Sequence, residues 1–319
     1  MLQRIFAREE LQAHPPVLVD IGASGAIHQK WTHIAPYSIC IAFDADSRKM
    51  GYIEKEDSKY KKLYVYASIV SEKKSDNNKF YLTKSPPCSS MLKPDHAKLK
   101  DWAFASLFDV VDVSRQNTID LRFVLNELNI QQIDWFKTDS QGTDLRLFRS
   151  LGDDIIGKIL IAEFEPGIMD AYEGEDKLYD VMRFLNQHPF WMSDMKVKGT
   201  QRIKRSALES YFSSMQKMFL DTHLRKSPCW AEITYLNSFT DNNLSLRDFL
   251  LGWVFATAEK QYGFAFELAE KGFDKFSDEI FMELKRQSLR KIKINNASTI
   301  TLSAKKVLSR LANRSKKLW

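Results

Sequence analysis

Along the first 170 residues, short apolar runs that stop at a glycine or an acid alternate with longer polar or helical stretches. That alternation predicts strands joined by crossover helices in a parallel sheet. Pro16 to Asp20 reads as a short buried strand that stops at Gly22. Ser38 to Phe43 is a second, ending in Asp44-Ala45-Asp46, and Leu63 to Val70 is a third, rich in Val, Ile and Tyr. Thr118 to Asn129 has helical spacing, with Leu121, Val124, Leu125 and Leu128 on one face. Ile133 to Thr138 is a fourth strand, ending at Asp139. Leu145 to Leu151 opens another helix, and Lys158 to Phe164 is a fifth strand that ends in Glu165-Pro166-Gly167.

The pattern then changes. Asp176 to Gln187 reads as a helix, followed by a strand near Phe190 to Val197. A polar, Lys-rich and Met-rich insertion runs from Lys198 to about Ser227, and Cys229 to Leu236 reads as one more strand. From Ser245 onward only helical periods occur, with Ser245 as an N-cap and room for three helices up to Ile294. The polar stretch Asn237 to Asn243 marks the expected boundary between a domain over residues 1–240 and a helical, basic extension over 241–319.

Composition narrows the class. With 319 residues, 44% apolar, 28% charged and 12% aromatic, the chain can bury a sizeable core and is expected to fold as a soluble protein. The longest near-apolar stretch, Phe249 to Ala258, is far short of the roughly 20 residues a spanning helix needs. No secretory signal is read in Met1 to Glu10, and three scattered cysteines suit neither a disulfide framework nor a zinc knuckle. A reducing cytoplasm is the expected compartment. The net charge of +6 is uneven, because Phe281 to Trp319 carries eleven Lys or Arg against one acid. The body before it is mildly acidic, so the basic balance does not predict a nucleic-acid partner.

The first strand-to-helix turn, Asp20-Ile21-Gly22-Ala23-Ser24-Gly25, places glycine where a backbone approaches a ligand at the strand ends. A dinucleotide site wants three glycines and no carboxylate aimed at its pyrophosphate. Here Asp20 ends the strand, which suits the α-ammonium of an amino acid such as the methionyl part of S-adenosylmethionine. Asp44 ends the next strand, where an acid accepts hydrogen bonds from both ribose hydroxyls of a nucleoside. A Gly turn capped by Asp and a solvated acidic turn are the bland alternatives.

Several segments resemble the FkbM-type methyltransferases, which methylate hydroxyls of sugars and polyketides. They are Val19 to Gly25, Ile41 to Asp46, Pro87 to Leu92, the motif Ile133-Asp134-Trp135-Phe136-Lys137-Thr138-Asp139-Ser140-Gln141-Gly142-Thr143-Asp144, and Ala162-Glu163-Phe164. The resemblance covers about residues 17–170, and more faintly extends to about 236. It implies an α/β fold of the class I methyltransferase, Rossmann-like kind: a doubly wound, mostly parallel sheet with a final antiparallel strand. It also implies cofactor binding by the Gly turn and Asp44. The family's Glu is replaced by Gln141 and by Asp144, so position 141 has no proton-accepting role.

The expected cofactor is S-adenosylmethionine, held by Asp20, Gly22, Ala23, Ser24, Gly25, Asp44, Ala67 and Ser68. Methyl transfer to oxygen needs an aligned lone pair and a group that takes the hydroxyl proton. Asp139 is the expected base, with Glu163 and Glu165 as runners-up, and its alternative role is to cap the following helix or orient the cofactor's amino group. Glu163, Glu165, Ser89 and Ser90 are expected on the acceptor side. Ser89 and Ser90 have an alternative role in satisfying their own loop. No catalytic metal is expected, since no His, Cys and acid cluster shows ligand spacing. The expected partner is a carbohydrate or other hydroxyl-bearing acceptor, in a surface polysaccharide or its lipid-linked precursor. A non-catalytic adaptor that binds the cofactor is the alternative. In the tail, Ile300, Ala304, Val307, Leu308, Leu311 and Leu318 share a helical stripe, with Lys305, Lys306, Arg310, Lys316 and Lys317 mostly opposite and Leu302 and Arg314 breaking the pattern. That stripe either docks on the inner face of an anionic membrane or packs on the preceding helices.

Overall fold

A computed structural model of the chain describes residues 1–23, 28–45 and 59–294. The chain divides into two compact units, Met1–Asn242 and Asn243–Trp319. In chain order the strands of the first unit are β1 (Val17–Ile21), β2 (Ile39–Phe43), β3 (Lys62–Tyr66), β4 (Ile69–Ser71), β5 (Ser75–Thr83), β6 (Val110–Asp120), β7 (Trp135–Thr138), β8 (Ile161–Phe164), β9 (Phe190–Thr200) and β10 (Ser227–Asn237).

Seven of them form one mixed sheet in the order β3-β2-β1-β7-β8-β10-β9. The pairs β3–β2, β2–β1, β1–β7 and β7–β8 are parallel, and β10 runs antiparallel to both of its neighbours. All five residues of β1 are buried, as expected of a parallel strand covered on both faces. Alternation sends Val17, Val19 and Ile21 into one core with Phe43, Phe136 and Phe164. The helices Leu121–Glu127, Asp144–Ser150 and Leu178–Leu185 fill it. Phe148 meets both Phe136 and Phe164 edge-on at 5.1 Å. Trp135 points to the opposite face, where Trp31 packs on its edge at 5.8 Å.

Two expectations are corrected here. The run Leu63 to Val70 is not one strand: the chain pairs with β2 through Tyr66, leaves the sheet at Ala67 and Ser68, and begins β4 in a second sheet. That three-stranded sheet, β4-β6-β5, gave no signal in the sequence, because β5 and β6 are largely exposed and lack a buried alternating face. The helix expected from Thr118 starts at Leu121 instead. Thr118 accepts from the Ser75 amide at 3.0 Å, and Asp120 caps the helix by accepting from the Phe123 amide at 3.0 Å. Residues 69–120 thus form a lobe inserted between β3 and its crossover helix. The insertion read after Lys198 contains the end of β9 and the helices Arg205–Tyr211 and Ser214–His223.

The second unit is helical where described, with helices Leu246–Ala258 and Tyr262–Phe276 and a third over 280–294. Ser245 and Asp248 form a reciprocal capping box, so the N-cap read from the sequence holds. Among the described residues no helix is long and apolar enough to cross a membrane. The tail stripe from Ile300 to Trp319 lies outside the described residues.

Candidate functional site

The strand order reverses between β1 and β7, and a cleft opens at the carboxyl ends of these strands and of β2. Crevices at such reversals are where open α/β sheets bind ligands. Gly22, Asp44, Asp139 and Gln141 contribute its sheet side, while Ser68, Val70, Phe80 and Ser89 bring in the inserted lobe. The turn after β1 is drawn tight. The Gly22 amide donates to Phe43 O at 2.9 Å and the Asp139 amide to Ile21 O at 2.9 Å.

Asp134 is fully buried and accepts from the Val17 amide at 2.8 Å, which registers the start of β1 against β7. Phe136 enters the core. Asp144 accepts from Thr138 at 3.2 Å and from the amides of Ser140 and Glu165 at 2.9 and 2.7 Å, which ties the ends of β7 and β8 together. Its carboxyl is pushed up to about 6, chiefly by burial. Gln141 has φ +57° and donates through its side chain to Asp139, while Tyr172 Oη stands 3.0 Å from Gln141 Oε1. Gln141 therefore orients Asp139, consistent with its lack of a proton-accepting role.

Asp139 also shares a hydrogen bond with Glu165, and both carboxyls are pushed up. Burial is the main cause for each, and mutual repulsion adds to it at Glu165, which reaches about 9. At neutral pH Glu165 holds its proton and donates it towards Asp139, whose own carboxyl burial also pushes up. The folded state then binds more protons than the unfolded chain between about pH 4.5 and 9, so stability falls as pH rises through that window. Glu165→Gln is expected to flatten the pH dependence of the melting temperature there, with its largest gain at the alkaline end. A slope equal to that of the wild type would locate the proton on another group.

Asp20 stands elsewhere than expected. Its carboxylate lies on the opposite face of the sheet from Val19 and Ile21, accepts from Lys137 Nζ at 2.6 Å, and does not line the cleft. Period-two alternation explains this, because Asp20 and Lys137 are registered neighbours on adjacent strands. Burial opposes the charge on Lys137, yet Asp20 holds its pKa above the usual lysine value. Glu163 shares that face: it accepts from Trp135 Nε1 at 2.7 Å and from Lys30 Nζ at 2.8 Å, and it too is absent from the cleft lining. A cofactor ammonium matched to Asp20, and an acceptor matched to Glu163, do not follow from this placement.

Of the other expected residues, Gly22, Asp44, Ser68, Ser89 and Asp139 line the cleft. Ala23 is buried beneath the turn and donates to Phe43 O, while Ala67 is exposed and outside the lining. Ser90 donates to Gln141 O at 2.7 Å and accepts from the Leu92 amide, which makes it a brace for the loop. Ser89 Oγ accepts from the Thr83 amide at 3.1 Å. Ser24, Gly25 and Asp46 lie outside the described residues. Sequence reasoning missed Val70, Phe80, Met91 and Thr143 in the lining. Phe80 sits in a polar strand, and Met91 carries no chemical signature. No protein-family model matches the chain, and comparison with curated proteins finds no match.

Proposed function

We propose that the chain is an S-adenosylmethionine-dependent methyltransferase that acts on a hydroxyl oxygen. The observation that carries the reading is Asp44 at the carboxyl end of β2, lining a cleft beside the Gly22 turn at the point where the strand order reverses. A carboxylate there suits the two ribose hydroxyls of a nucleoside. Phe43, Ile69, Val70 and Phe80 line the same cleft and offer an apolar slot for a purine. The antiparallel β10, inserted between β8 and β9, agrees with the final antiparallel strand that the FkbM resemblance implies.

The cofactor supplies an electrophilic methyl when bound. The protein's own task is to align the acceptor, exclude water and take a proton. Asp139 is the carboxyl that lines the cleft, held by Gln141 and by the protonated Glu165. It is our candidate for the general base, accepting the hydroxyl proton as the oxygen–carbon bond forms. The acceptor we propose is a sugar hydroxyl of a surface polysaccharide or its precursor, and this rests on the family resemblance. A second reading follows from the Asp20–Lys137 pair: with Asp20 engaged, Asp139 is the carboxylate left to meet the cofactor's ammonium.

Asp44→Ala is expected to weaken S-adenosylmethionine by about 1.5–3 kcal/mol, the range for hydrogen bonds to a charged group. Titration calorimetry on a folded variant reads this directly. Affinity equal to that of the wild type would remove Asp44 from the site and the nucleoside reading with it. Labelled S-adenosylmethionine incubated with fractionated envelope glycans tests the acceptor; binding without formation of S-adenosylhomocysteine would favour a non-catalytic adaptor.

A further inference from the structure

The helices Arg205–Tyr211 and Ser214–His223 turn their apolar side chains the wrong way for a surface hairpin. Leu208 and Leu220 point inward and are buried. Tyr211 is 80% exposed, Met215 70%, Met218 75% and Phe219 52%. Met215, Met218 and Phe219 fall at i, i+3 and i+4, so they form one outward stripe, and Leu224 beyond the helix is also exposed. Contiguous exposed apolar side chains of this size mark a surface that meets something other than water.

Charge decides what that is. Residues 198–226 hold seven Lys or Arg against two acids. Lys204, Lys217, Arg225 and Lys226 are exposed and make no ion pair with another described residue. Arg205 is committed instead to the lobe, 2.9 Å from Asp109, and Arg202 stacks over Trp102 at 5.5 Å. Asp109 is flanked by Leu107, Val110 and Val111, which are exposed apolar side chains too. The root of the hairpin is therefore fixed to the same lobe that walls the cleft, while Tyr211, Met215, Met218 and Phe219 stand exposed in the same short segment as those cations. Apolar side chains that insert at a headgroup boundary, with basic side chains around them, match an anionic bilayer.

We propose that the outer face of residues 205–226 is a peripheral docking surface for an anionic lipid bilayer. Docking there is independent of the reaction in the cleft, and it is separate from the tail stripe at Ile300 to Trp319. The test compares the full-length chain with full-length Met218→Glu/Phe219→Glu and Lys217→Glu/Arg225→Glu variants. Each is sedimented with vesicles of phosphatidylcholine, with and without phosphatidylserine. The wild type is expected to bind the anionic vesicles about tenfold more strongly than the neutral ones, with that preference lost at high salt. The Met218/Phe219 variant should lose about tenfold in vesicle binding at an unchanged melting temperature, and the Lys217/Arg225 variant should lose the anionic preference. Sedimentation of the Met218/Phe219 variant equal to that of the wild type overturns the proposal and moves any binding to the tail. So does a wild type that ignores both vesicles. A solution dimer that Met218→Glu/Phe219→Glu dissociates overturns it as well, and assigns the face to a second copy of the chain.

Discussion

Asp139→Asn is expected to cut methyl transfer by roughly two to four orders of magnitude at saturating cofactor while leaving the fold intact, as loss of a general base does. The substitution keeps the shape of the side chain and removes its capacity to take a proton. The new amide still offers an oxygen to Gln141 or Glu165, and the ends of β7 and β8 stay joined through Asp144, which does not depend on position 139. What disappears is the carboxyl oxygen in the cleft that can take a proton, since Glu165 already retains its own at neutral pH. The measurement separates two roles. If turnover at saturation collapses with little change in cofactor affinity, Asp139 takes the acceptor's proton. If affinity falls and saturating turnover drops less than tenfold, Asp139 holds the cofactor's ammonium, in place of the Asp20 carboxylate that pairs with Lys137.

The second large effect is expected at Gly22→Ala. Gly22 has φ +83°, and a Cβ there would stand 2.3 Å from the carbonyl oxygen of Asp139. The obstacle is backbone, held in place by the Asp139 amide donating to Ile21 O, so it has no rotamer into which to retreat. Left-handed strain costs about 1–3 kcal/mol and overpacking a similar amount, so a loss of about 2–6 kcal/mol is expected. Gly174→Ala provides the comparison. Its φ of +72° carries the same strain, but a Cβ there meets nothing within 4 Å. Urea unfolding of the two variants should show Gly22→Ala as the costlier by more than about 1 kcal/mol, from the overpacking alone. Equal costs would mean that the β1 and β7 turns are not packed this closely.

The sequence by itself determined the central strands, because each is a short run buried on both faces and bounded by Gly or Asp. The short apolar run of β1, stopped by Asp20 and Gly22, marks a buried strand by its length, and the Ser245 N-cap stands directly before its helix. The cleft was legible to the same extent: Gly22, Asp44 and Asp139 end strands, and strand ends at a reversal of order converge. Only the tertiary structure decided which carboxylates face the cleft. Asp20 and Glu163 end strands as plainly as Asp44 does, yet strand alternation turns them to the other face, where Lys137 and Lys30 neutralise them. The partners lie 117 and 133 residues away along the chain, so no local pattern announces the pairing. The inserted lobe was hidden for a related reason. β5 and β6 are held by ladder hydrogen bonds to each other rather than by a buried face, and a backbone ladder leaves no mark on hydrophobic periodicity.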